Sequence, residues 1–160
     1  MILGALSTLN VGWADVDHVV LTHFHPDHVG SAGAVLDSAA SATAYAGEAD
    51  ISQITSPRDL QAVGDGDEVF GLAVVETPGH TPGSISVFDA DSGLLVAGDA
   101  LTADGGGVAG PVPEFTEDLV EASASVTKLA DLDVDTALVG HGDPVEGGAG
   151  AQIVELAASL

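Results

Sequence analysis

The chain has no cysteine, and of its 160 residues only Arg58 and Lys128 carry a basic side chain. Without cysteine there is no disulfide, no thiolate metal site and no thiol nucleophile. Two basic side chains cannot line a phosphate-binding stripe, and they would release almost no counterions on meeting DNA or RNA. Anionic membranes are disfavoured for the same reason. The apolar runs fall far short of a spanning helix. The apolar start, Met1-Ile2-Leu3-Gly4-Ala5-Leu6, lacks the basic segment of a secretory signal. A cytoplasmic protein with no nucleic-acid or membrane partner is expected. Aromatic residues make up only 4% of the chain, so alanine, valine and leucine must fill the core.

Acid is abundant. Twenty-five Asp and Glu residues give a net charge of −23. They are spread along apolar-patterned segments instead of forming a run, which argues against a disordered acidic tail. The alternating Asp131-Leu132-Asp133-Val134-Asp135 is not an EF-hand loop. Thr136 occupies the sixth position and Gly142 the twelfth, where Gly and Glu are needed. Adaptation to a salt-saturated cytoplasm fits best. At about 1 M salt the Debye length is roughly 3 Å, so surface carboxylates scarcely repel one another. They then keep the protein hydrated and soluble.

At 46% apolar residues, the length suits one domain over residues 1–160, burying roughly 68–70% of its unfolded surface. The pattern predicts a short helix over 3–10, a β-branched strand over 16–21 and a helix from Asp27 to about Ala40, with Gly30 and Gly33 allowing close backbone packing. A brief strand at 43–45, a short helix over 47–54 and a turn at Gly64–Asp67 follow. Strands are expected at 72–76, 84–88 and 94–97, then a helix over 117–129, a strand over 136–139 and a final helix over 147–159. Interleaved strands and helices describe an α/β layered domain with a site at one sheet edge.

Five of the six histidines fall into one pattern. Thr22-His23-Phe24-His25-Pro26-Asp27-His28 packs three imidazoles and a carboxylate together. His80 follows in Pro78-Gly79-His80-Thr81-Pro82-Gly83, Asp99 in Gly98-Asp99, and His141 in Gly140-His141-Gly142. Nitrogen and oxygen donors without sulfur suit zinc, iron or manganese. His23 and His25, two apart at the end of a strand, face the same way and can chelate one ion. Asp27 and His28, just past a proline, can aim at a second. His18 stands outside the pattern and reads as a strand histidine satisfied locally.

Two competing motifs fail. Gly105-Gly106-Gly107-Val108-Ala109-Gly110 matches G-x-G-x-x-G, but Pro111 and Pro113 block the helix that would bind a pyrophosphate. It reads instead as a flexible loop beside the site. Ser84 is in no G-x-S-x-G elbow, and the motif histidines are already committed to metal.

These four motifs, in this order and covering about residues 13–150, resemble the metallo-β-lactamase superfamily in its glyoxalase II-like branch. The resemblance implies an αββα sandwich. It implies a first metal held by His23, His25 and His80, and a second held by Asp27, His28 and His141, with Asp99 bridging. Two Zn2+ ions are expected, with Fe or Mn as substitutes. The implied reaction is attack of a metal-activated hydroxide on a small-molecule thioester, lactone or other ester, with Asp27 as catalytic proton shuttle. A mononuclear iron dioxygenase acting on persulfides, using His23, His80 and Asp99-type ligands, shares these motifs and is an alternative. An inactive fragment or interaction module is another. The family usually places several strands ahead of the first motif, whereas here 22 residues precede His23. The expectation is therefore a chain lacking part of its first sheet, with self-association through the open edge.

Overall fold

Short runs rich in valine, alanine and leucine pair into two separate sheets, and the helices cover their outer faces. The computed structural model describes residues 2–160. Helix α1 (Ile2–Thr8) precedes strand β1 (His18–Leu21). Strands β1, β2 (Thr43–Gly47) and β3 (Gln61–Val63) form a parallel sheet in that order. Parallel neighbours need crossovers. Here they are α2 (Pro26–Val29) with α3 (Ala32–Ser38), and then the 3₁₀ segment Glu48–Gln53.

The second sheet contains β4 (Glu68–Val69), β5 (Leu72–Glu76), β6 (Ile85–Asp89), β7 (Leu94–Gly98) and β10 (Thr136–Val139). Its order is β10-β7-β6-β5-β4, antiparallel except where β10 joins β7 in parallel. Between β7 and β10 lie the hairpin of β8 (Thr102–Asp104) and β9 (Gly107–Ala109), then α4 (Leu119–Leu129); α5 (Ala149–Ala157) follows β10.

Three apolar clusters define the layers. Leu21, Ala32, Ala46 and Ile54 pack α3 and the 3₁₀ segment onto the first sheet. Val69, Val74, Ile85 and Val87, with Val20 and Tyr45, fill the space between the sheets. Leu95, Val126, Leu129, Ala137 and Ile153 join the second sheet to α4 and α5. The result is the helix–sheet–sheet–helix sandwich expected. Because β6 is covered on both faces, Ile85–Phe88 are buried without alternation. Leu95, Leu129 and Ile153 are fully buried, each stabilising the fold by roughly 1.5–3 kcal/mol.

Several boundaries differ from expectation. The helix from Asp27 is two helices, broken at Gly30-Ser31. Gly33 has nothing within 4 Å of an added Cβ, so it serves no close approach; at Gly30 an added Cβ would meet only the Pro26 carbonyl of its own turn. The glycine run expected to be a flexible loop is an ordered hairpin. Gly105 and Gly106 both have positive φ (58° and 85°), as a tight two-residue turn requires. The Gln152 side chain of α5 also pins the hairpin by accepting from Val108 N at 2.8 Å.

Four connections gather at one rim. Strands β5, β7 and β10 run the same way through the second sheet and end in Glu76, Gly98 and Val139. The end of β1 is fastened beside them, with Ile85 N donating to Thr22 O at 2.8 Å.

Candidate metal centre

That rim collects every residue of the histidine pattern. Thr22–His25 leaves β1 in extended form, and Pro26 then opens α2, where its missing N–H costs nothing. This turn brings His23, His25, Asp27 and His28 to one rim, with the His23 and His28 rings 4.0 Å apart. The β5–β6 loop supplies His80, the end of β7 supplies Asp99, and the end of β10 supplies His141. Ligating atoms of His23, His25 and His80 lie within 4.8 Å of one another. The same holds for Asp27, His28 and His141, and for His23, His28 and Asp99.

Asp99 stands between the groups. Its Oδ2 is 3.3 Å from His80 Nε2, 3.3 Å from His141 Nε2 and 3.9 Å from His23 Nε2. Its Oδ1 is 3.2 Å from His28 Nε2. On the exposed side, Asp27 Oδ2 lies 3.2 Å from His141 Nε2 and 3.6 Å from His28 Nε2. His25 Nδ1 and His80 Nε2 are 2.9 Å apart. His18 is elsewhere, on the exposed face of β1, 3.1 Å from the Tyr45 hydroxyl as expected of a locally satisfied histidine.

The donor set fits divalent cations. His23 Nε2 and Asp99 Oδ1 are buried at the centre and make no aligned hydrogen bond. Leaving such a group unsatisfied costs roughly 1–3 kcal/mol. Burial, reinforced by the charge of His28, pushes His23 down to about 3, against an ordinary 6.5. Burial also lowers His80. The Asp99 carboxylate raises His28 against the effect of burial. Burial alone would raise Asp99, but His28 beside it, together with His23 and His80, holds it below its ordinary value. The lowered His23 and His80 imidazoles beside an ionised Asp99 are in the protonation state that a cation requires of its ligands.

Gly140 makes this geometry possible. A Cβ there would stand 1.9 Å from Asp99 Oδ1 and 2.7 Å from His28 Cε1. A cavity of about 370 Å³ opens over the centre, lined by His25, Pro26, Asp27, His80, Asp99, Thr102, Val112, Phe115 and His141.

A family model described as the metallo-beta-lactamase superfamily matches residues 1–141. The chain belongs to that superfamily. It is 31% identical over 169 residues to the uncharacterized protein YobT of Bacillus subtilis (strain 168), a match covering 87% of this chain and 72% of YobT. It is 34% identical over 140 residues to the hydroxyacylglutathione hydrolase of Fuscovulum blasticum, covering 85% of this chain and 51% of that enzyme. The crystal structure of a metallo-beta-lactamase family protein from Thermus thermophilus superimposes with a TM-score of 0.75 at 25% identity, covering 99% of this chain and 65% of that one. Among the curated relatives just below YobT in similarity, matches span from 32% to 61% of the relative's own length.

Thr102, Val112 and Phe115 escaped the sequence reading because they lie in three-residue elements or the loop between them, too short to show periodicity. So did Asp50, an acid in a chain full of acids. No short pattern marks it as buried.

Proposed function

We propose that the chain is a metal-dependent hydrolase that cleaves a small thioester, lactone or other ester. Its ions, zinc by preference, would be held by His23, His25 and His80 on one side and by Asp27, His28 and His141 on the other, with Asp99 between. When bound, such a pair supplies a hydroxide near neutral pH and polarises a carbonyl, chemistry that the side chains alone lack. The observation that carries the reading is Asp99: a buried carboxylate within reach of both histidine groups, with Oδ2 facing His80 and His141 and Oδ1 facing His28.

The chain's own residues provide the rest. Asp99 keeps the two histidine groups in register. Asp27 is 57% exposed at the cavity edge and touches His141, a position from which it can pass a proton to a leaving group. Pro26, Val112 and Phe115 give the cavity apolar walls for the uncharged part of a substrate.

Charge narrows the substrate. Lys128 is held by Asp65 and the Glu76 carbonyl, and Arg58 by the Leu36, Ala40 and Ala42 carbonyls. Neither basic residue lines the cavity. The carboxylates of a glutathione thioester would find no cationic side chain there, which favours an uncharged ester, lactone or simple thioester. A small molecule is thus the expected partner, and nucleic acid is not.

A mononuclear iron persulfide dioxygenase shares these motifs, so the number and kind of bound metal separate it from the hydrolase. The test is a panel of thioesters, lactones and aryl esters assayed in concentrated KCl, before and after chelation. Chelator-sensitive hydrolysis restored by zinc supports the proposal. One bound iron with oxygen consumption and no hydrolysis would overturn it.

A further inference from the structure

Asp50 is completely buried in the 3₁₀ segment Glu48–Gln53, and its carboxylate is spent on backbone and hydroxyl donors from two other loops. Its Oδ2 accepts from Phe24 N at 3.0 Å and from Thr81 Oγ1 at 2.6 Å. Its Oδ1 accepts from Gly83 N at 2.7 Å. Phe24 is the residue between His23 and His25, and Thr81 directly follows His80. One carboxylate therefore grips both segments that carry the first histidine triad.

The grip is directional. Thr81 gives its only hydroxyl proton to Asp50, so in the 2.8 Å contact with Ser84 Oγ it is Ser84 that donates. Ser84 Oγ in turn accepts from Thr81 N at 3.1 Å. Gly83 admits the carboxylate because it has no side chain. A Cβ there would fall 2.4 Å from Asp50 N and 2.6 Å from Oδ1. A carboxylate only accepts, and here three donors meet it. An amide of the same shape cannot replace it. Its NH₂ would face Gly83 N–H in one orientation and Phe24 N–H in the other.

We propose that Asp50 is a positioning residue, which clamps the His23–His25 segment to the His80 loop and holds the first triad at ligating separation before an ion arrives. This rests on the assignment of His23, His25 and His80 to one ion. Outer groups that orient ligands commonly change metal affinity by 10–100-fold on removal. Asp50 would act through the backbone beside the histidines, without touching an imidazole.

The test is stepwise Co2+ titration of full-length Asp50→Asn in concentrated KCl, followed by the visible absorption of the bound ion. His80→Ala and His141→Ala identify which step belongs to which triad. The expected result is a loss of roughly 10–100-fold at the His80-dependent step, with the His141-dependent step changed less than about threefold. In the metal-free protein, amide exchange at Phe24 and Gly83 should accelerate while core amides of β6 and β7 stay protected. Thr81→Val removes one donor with little change in shape. It should weaken the same step by a smaller factor, and it carries the test if Asp50→Asn does not fold. Equal weakening of both steps, or wild-type affinity at the first, would overturn the inference while leaving the metal centre standing. Failure of the wild-type chain to bind Co2+ at all would sink both.

Discussion

Replacing Gly140 by alanine adds one methyl group at the most crowded point of the centre. That carbon would start 1.9 Å from Asp99 Oδ1, and real Cβ atoms essentially never approach closer than 3.0 Å. The difference, 3.0 less 1.9, requires Asp99 or the β10 end to move by about 1.1 Å. Metal–ligand distances are held to within about 0.2 Å, so the shift is several times what coordination tolerates. Gly140 is itself exposed and does not have positive φ, so the main fold has no reason to suffer. The variant should keep its metal-free unfolding midpoint within a degree or two. Zn2+ affinity, measured by chelator competition in concentrated KCl, should fall by at least about tenfold to a hundredfold, as for loss of a supporting group. Hydrolysis should fall with it. Retention of wild-type zinc affinity would refute the view that Asp99 sits where both groups need it.

Acidification should destabilise the metal-free chain. His23 is lowered to about 3 in the folded state and His80 is lowered too, so below pH 6.5 the unfolded chain takes up protons that the folded one refuses. Asp99, also lowered, adds a loss as pH falls through its ordinary 3.8, whereas raised His28 works the other way. Thermal unfolding of metal-free protein should show a falling midpoint from pH 7 to 4, and a flat profile would contradict the burial argument. Arg58→Met removes the donors that satisfy the Leu36, Ala40 and Ala42 carbonyls at the end of α3. It should cost about 2–3 kcal/mol in denaturant unfolding, against almost nothing if water satisfies those carbonyls equally well. Salt should matter strongly, because among the described residues Asp50 and Asp99 are the only buried acids of the 25. Raising KCl from about 0.1 M to about 2 M should raise the unfolding midpoint, and insensitivity to salt would count against self-repulsion as the dominant surface effect.

The centre was legible in the sequence because its parts are short and local. Thr22–His28 carries four of the seven groups, and the other three each sit directly after a strand or in a tight Pro-Gly loop. The α/β class followed from helices interleaved with strands, and the αββα order from the family resemblance; in α4 it is Ala122, Val126 and Leu129 that face the core, and Asp118 caps the start through Val120 N and Glu121 N. Strands β3 and β4 were missed because three and two residues carry no readable alternation. The Gly105–Gly106 hairpin was read as loose because composition records the turn and not the Gln152 bond that holds it. Asp50 was missed for a deeper reason. Its partners lie 26 to 33 residues away, and only the folded chain shows that they are all donors.

In the proposed centre, two triads and one shared carboxylate hold two cations. Elemental analysis of protein exchanged into zinc and concentrated KCl tests it most directly, with His80→Ala and His141→Ala run alongside. Two zinc ions per wild-type chain and one in each variant are expected. One ion or fewer in the wild type, or two in either variant, would contradict it.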